Sequence, residues 1–163
     1  MDRREVINKK KQCLFLKNMI KNMDSIELID IYEESSEEIS CYKNKMDEFL
    51  ELGHQNKLEA IKVSCGYNDD YYFNWILQQV KQINSNDEWL IFKDEWWAKV
   101  KSNERKKAIN DLWYHAKFSY GTSPKGYYCG FLAINISIDM IIDVGLYSDD
   151  EYNYQLSTMN LKS

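Results

Sequence analysis

Residues 131–146 read FLAINISIDMIIDVGL, and the period assigned to this stretch decides the fold. Every even position from Leu132 to Leu146 is apolar and most odd positions are small or polar, which is the two-residue period of a strand. The same residues also satisfy a helix. Ser123-Pro124 supplies an N-cap and a first-turn proline, Gly145 suits a left-handed C′ position, and Leu146 can pack on Ile141 as a Schellman motif requires. Asn135, Asp139 and Asp143 then form one polar stripe at i, i+4 and i+8, the pattern of a central buried helix. A lone strand of this length finds no obvious partner, because the other alternating stretches are short. The reading adopted is a helix over 124–144, with an α+β chain carrying a long strand at 131–146 as the alternative.

Outward from this stretch, the periodicity favours helices. Residues 3–23 set Cys13, Leu14, Leu16, Met19, Ile20 and Met23 among seven basic side chains, giving an amphipathic helix with a basic outer face. Ile26, Ile29 and Tyr32 recur at three-residue steps after a cap at Asp24 or Ser25. Ser35 or Ser36 restarts a helix that carries Ile39, Tyr42, Met46, Phe49 and Leu50 and stops at Gly53. A short helix with Leu58, Ile61 and Cys65 ends at Gly66, and Asn68, Asp69 or Asp70 opens a strong one through Tyr72, Phe73, Ile76, Leu77, Val80 and Ile83. The Trp-rich segment EWLIFKDEWWAKV starts after Asp87, and a further helix runs from Ser102 or Asn103 to Ala116. Gly53, Gly66 and Gly145 are read as helix stops.

Composition agrees with that reading. The chain has 163 residues, enough for one domain, and its 44% apolar and 29% charged residues exclude both disorder and a membrane-spanning protein. Six glycines and one proline are few for the many tight turns of a sandwich or barrel. The expectation is a single all-α domain, 1–163, a bundle or array of about 6–8 helices, with 1–53 as its N-terminal helices. No apolar run approaches the ~20 residues of a membrane span, so a cytoplasmic protein without a signal peptide is expected. Cys13, Cys41, Cys65 and Cys129 are scattered without a C-x-x-C pair, which suits buried thiols.

Chemistry is thinly marked. Glu51 and His54 form one E-x-x-H pair, but a di-iron bundle needs two with further carboxylates. Asp111 and His115 stand at i, i+4, the spacing of an ordinary helix-surface contact as well as of an acid/base pair. No G-x-S-x-G, Walker A, G-x-G-x-x-G or H-E-x-x-H motif occurs. An enzyme is therefore unsupported, and no catalytic residue, metal ligand or cofactor is assigned.

Charge is segregated. The chain carries −5 in total, yet residues 24–51 hold ten acidic side chains against Lys43 and Lys45, a net −8, while residues 1–23 are net +5. Two neighbouring helices attracting each other account for this blandly; a docking surface for a basic partner is the sharper reading. Aromatic residues make up 14% of the chain, more than a core of this size holds with every N–H and O–H satisfied. Trp and Tyr beside acidic residues, as in Asp94-Glu95-Trp96-Trp97 and Asp149-Asp150-Glu151-Tyr152, suit a partner rich in Lys and Arg.

The segments KLEAIKVSCGYNDDYYFNWILQQV, EWLIFKDEWWAKV, SNERKKAINDLWYHAKFSYG and GYYCGFLAINISIDMIIDVGLYSDDEYNYQ together resemble the C-terminal helical domain of bacterial immunity proteins that neutralise polymorphic nuclease toxins. The matching positions are Gly126, Tyr127 and Tyr128, then Ala133 to Ile142, Gly145, Asp149-Asp150, and Tyr152 with Tyr154, within residues 55–156. The resemblance implies an all-α fold and a protein that blocks a cognate toxin delivered by a neighbouring cell, as in contact-dependent growth inhibition.

A nuclease groove is positive because it holds phosphates, so an acidic, aromatic-rimmed surface can occlude it. The expected partner-binding residues are Glu33, Glu34, Glu37, Glu38, Asp47 and Glu48, with Trp96, Trp97 and Tyr152 as anchors. The expected partner is a basic nuclease toxin, with no direct nucleic-acid and no membrane partner. A non-catalytic helical adaptor for another basic protein is the alternative. A nucleic-acid binder using the helix of residues 3–21 ranks behind it, given the negative total.

Overall fold

Residues 131–146 fold back on themselves. In this computed structural model, which describes residues 1–116, 130–148 and 152–163, Phe131–Asn135 and Met140–Ser148 are two antiparallel strands. Asn135 lies opposite Met140 and Phe131 opposite Val144. The turn between them closes on Asp139, whose φ of 52° is left-handed and whose carbonyl accepts the Leu161 N–H at 2.8 Å. Both the helix expected over 124–144 and the alternative of one long strand give way to a hairpin.

That hairpin explains why the alternation misled. The turn inverts parity, so the odd residues of the first strand share a face with the even residues of the second. Phe131, Ala133, Ile142 and Val144 pack into one core, while Leu132, Ile134 and Ile141 pack into another on the opposite face. Every residue of Phe131–Asn135 is buried, because this strand is covered on both sides.

In chain order the elements are α1 (Arg3–Lys21), β1 (Ile26–Glu33), a 3-10 turn (Glu37–Ile39), α2 (Ser40–His54), β2 (Ala60–Ser64), α3 (Asp69–Gln79), β3 (Glu88–Lys93), β4 (Trp96–Ser102), α4 (Arg105–His115), β5 (Phe131–Asn135), β6 (Met140–Ser148) and β7 (Tyr152–Asn160). The strands form one antiparallel sheet in the order β1-β4-β3-β5-β6-β7-β2. The all-α expectation is overturned: the chain is α+β. α1, α3 and α4 bury Leu16, Ile20, Ile76, Ile109 and Trp113 against one face, and α2 buries Met46 and Phe49 against the other. The two edge strands, β1 and β2, both come from the N-terminal half, so the sheet draws on the whole chain.

α3 begins at its expected cap, α4 starts at Arg105 with Glu104 as its cap just past the expected Asn103, and α2 starts at Ser40 without a side-chain cap, after the 3-10 turn that follows Ser36. Asp2 and Glu5 form a capping box on α1, and Asn68 caps α3 by accepting the Tyr71 N–H at 2.9 Å. The expected helix at 25–32 is instead β1. A bulge between Leu28 and Asp30 inserts Ile29 and breaks the two-residue period: Ile26, Leu28 and Ile31 face the main core, Ile29 is exposed and Tyr32 packs on the opposite face, so the three-residue steps of Ile26, Ile29 and Tyr32 mark no common face. The expected helix at 58–65 is the edge strand β2, whose Ile61 is 47% exposed and so leaves little pattern. The Trp-rich segment is the β3–β4 hairpin, turned at Asp94 with φ 55° and no glycine to announce it.

The glycine and cysteine readings also change. Gly53 lies inside α2, Gly66 follows a strand, and Gly145 sits within β6. Cys41 and Cys65 are exposed and Cys13 is half-buried, so these thiols are not core fillers. Ser123-Pro124, Gly126, Tyr127, Tyr128, Cys129, Asp149 and Asp150 lie outside the described residues. Among the described residues, no helix is long and apolar enough to cross a membrane.

Candidate functional site

The C-terminal end of β1 and the β3–β4 turn meet at one corner of the sheet. The Glu34 N–H donates to the Glu95 carbonyl at 2.8 Å, which continues the β1–β4 ladder past its last paired residues, Glu33 and Trp96. Glu33, Glu34, Asp94 and Glu95 are thereby set side by side, and the 3-10 turn adds exposed Glu37 and Glu38. Lys9 on α1 reaches both Glu33 and Glu95, each at 3.8 Å. At that distance and exposure the contacts are loose, each contributing under about 1 kcal/mol. On α2, the carboxylate of Asp47 holds the Lys43 ammonium above its ordinary pKa, with Glu34 adding to the same effect.

This corner is built on aromatic packing. Tyr32, Trp97 and Phe92 stand in one row across β1, β4 and β3, with the Phe92 and Trp97 rings stacked at 4.7 Å. Trp97 is 3% exposed in the α2-side core, so it supports the corner from beneath and does not project as an anchor. Trp96 points to the other face, half-buried against the main core with its indole nitrogen enclosed. Tyr32 and Tyr42 have their phenol pKa values raised, chiefly by burial, and the Lys99 ammonium between them is held charged by its hydrogen bond to Glu88, 3.0 Å away.

The structure therefore gathers Glu33, Glu34, Glu37 and Glu38 and adds Asp94 and Glu95. Asp47 and Glu48 lie further along α2, paired with Lys43 at 3.1 Å and Lys45 at 3.0 Å. Tyr152 opens β7, five strands from β1, roughly 24 Å away at the ordinary strand spacing, and so stands apart from the corner. The signal for Asp94 and Glu95 was present as an acidic pair between two apolar runs. It was legible only once that pair was read as a turn.

A concavity of about 440 Å³, away from that corner, lies between the end of α2 and the β6-β7-β2 part of the sheet. His54, Lys62, Asp143 and Gln155 line it, with Phe49 and Leu58 as its apolar wall. Glu51 accepts a hydrogen bond from Gln55 at 2.6 Å, and among the described residues no group of three or more His, Cys, Asp or Glu stands ready to hold a metal. Asp111 does not serve His115. It is buried and accepts the backbone N–H of Ser25 at 2.8 Å and the Ser25 hydroxyl at 2.5 Å, which ties α4 to the start of β1.

No family model, curated protein or solved structure matches this chain.

Proposed function

We propose that this chain is a non-catalytic binding protein that takes a basic protein at the acidic corner, and that it acts as an immunity protein whose partner is a nuclease toxin. The observation that carries the reading is the Glu34–Glu95 backbone bond, which holds carboxylates from two separate turns at one place. Carboxylates on strand ends and a tight turn need little ordering on binding, which lowers the entropic cost of association. A single-sign patch also steers a cationic partner and raises its on-rate.

The sheet removes the all-α expectation attached to the resemblance, so electrostatics and placement support the proposal instead. Glu33, Glu34, Glu37, Glu38, Asp94 and Glu95 offer carboxylate oxygens where a nuclease groove holds phosphate oxygens. Aromatic anchoring plays no part in it, because Trp97 is covered and Trp96 is turned inward.

The test is co-expression with whatever protein the neighbouring upstream gene encodes, expressed at a level that arrests growth if it is a toxin. Growth rescue together with a stable complex supports the reading. A stable complex without rescue points to the alternative, an adaptor for a basic protein. The charge-reversed E33K/E34K/E37K/E38K variant should lose the complex while D47K/E48K retains it, and retention by both would overturn the corner as the binding surface.

A further inference from the structure

The outer face of α1 combines two features that the sheet-packing role of this helix does not use. Leu16 and Ile20 point into the main core, and Gln12, Cys13 and Met19 flank them. At 100° per residue, Ile7 and Leu14 fall close to the opposite meridian, and Phe15 lies about 100° round from Leu14 on the same outer half, with Arg4 and Lys11 between them. These three side chains are 45%, 56% and 56% exposed. Arg3, Arg4, Lys10, Lys11, Lys17 and Lys21 are exposed on the same half of the helix. The two acidic residues of this segment are engaged at the N-cap, where the Asp2 N–H donates to Glu5 at 3.0 Å. Lys9 alone turns aside, toward Glu33 and Glu95.

The geometry points to the outer face of α1 as a docking surface for an anionic phospholipid membrane, contacted from one side and not spanned. Six cations interspersed with three exposed apolar side chains on one half of the helix match the two layers of such a surface: the headgroup phosphates attract Lys and Arg, and Leu14, Phe15 and Ile7 enter the acyl boundary. Nucleic acid also attracts cations, but its backbone offers nothing for a leucine and a phenylalanine more than half exposed. The helix is already folded by its inner face, so membrane contact costs no ordering of the helix. This surface is separate from the acidic corner, and it reverses the expectation of no membrane partner.

The test is co-sedimentation of the whole protein with phosphatidylcholine vesicles, with and without about 30 mol% phosphatidylglycerol. Partitioning should be at least about tenfold stronger on the anionic vesicles and fall with added salt. L14S/F15S, which keeps every charge, should lose about tenfold of that binding, as should K10E/K11E. Circular dichroism and chemical denaturation confirm that both variants remain folded. A short DNA duplex serves as the competing polyanion. Absence of vesicle binding would overturn the proposal, as would a L14S/F15S variant that binds vesicles as well as wild type, or DNA binding at least as tight as vesicle binding.

Discussion

The carboxylate of Asp111, near the middle of α4, accepts both the backbone N–H and the hydroxyl of Ser25, just before β1. Ser25 is 1% exposed, so neither donor has water as a substitute. Asp111→Ala leaves both donors buried and unpaired and should cost about 2–4 kcal/mol in urea denaturation. Asp111→Asn keeps one acceptor oxygen and should cost less. An Asp111→Ala protein as stable as wild type would show that this bond contributes nothing.

Gly130 has a φ of +140°, and a Cβ there would stand 2.2 Å from the Val144 carbonyl oxygen. Backbone cannot move aside as a flexible side chain does. Gly130→Ala should destabilise the protein by roughly 2–4 kcal/mol and lower Tm, because it both strains φ and forces β5 from β6. Gly53 lies inside α2, where an added Cβ would stand 3.5 Å from the Leu58 side chain, so Gly53→Ala should be neutral or mildly stabilising.

Tyr72 is buried, donates its hydroxyl to the Ser64 carbonyl at 3.0 Å and accepts the Tyr67 N–H at 3.2 Å. Burial is the main cause that pushes its pKa above the ordinary tyrosine value. The folded state therefore holds this proton more tightly than the unfolded chain does. The stability it contributes is complete below the unfolded pKa of about 10 and is lost as pH rises through the higher folded value. Denaturation midpoints should fall above about pH 10, and Tyr72→Phe should flatten that component while losing about 1 kcal/mol at neutral pH.

Lys9 is the counter-charge that touches two carboxylates of the acidic corner. Lys9→Ala should cost under about 1 kcal/mol of stability while leaving the corner more negative. Association with a basic partner should then speed up by a few fold at low salt and lose that gain at high salt. Stopped-flow association kinetics measure this directly; an unchanged on-rate would place the partner elsewhere.

Much of the helical content was legible, and the sheet was not. Asn68 announces α3 as a side-chain cap, and the amphipathic pattern of residues 3–23 announces α1; both are local signals. β1 was hidden by the bulge at Ile29, while β5 and β6 did show alternation, but it ran unbroken through a turn that inverts parity, so two strands read as one segment with no partner. The turns at Asp94 and Asp139 adopt positive φ without glycine, so hairpins read as continuous segments. The acidic residues of the corner were legible from charge alone. Their meeting with Glu95 depends on pairing between β1 and β4, whose register only the fold supplies.

The central claim is that a basic protein docks on the acidic corner. The direct measurement is the affinity of the purified protein and its E33K/E34K/E37K/E38K variant for the protein that forms a complex with it in the co-expression test, by calorimetry at two salt concentrations. Reversal should cost at least about a hundredfold in affinity, and wild-type binding should weaken at the higher salt. Equal affinities for the two proteins, or wild-type binding indifferent to salt, would contradict that docking.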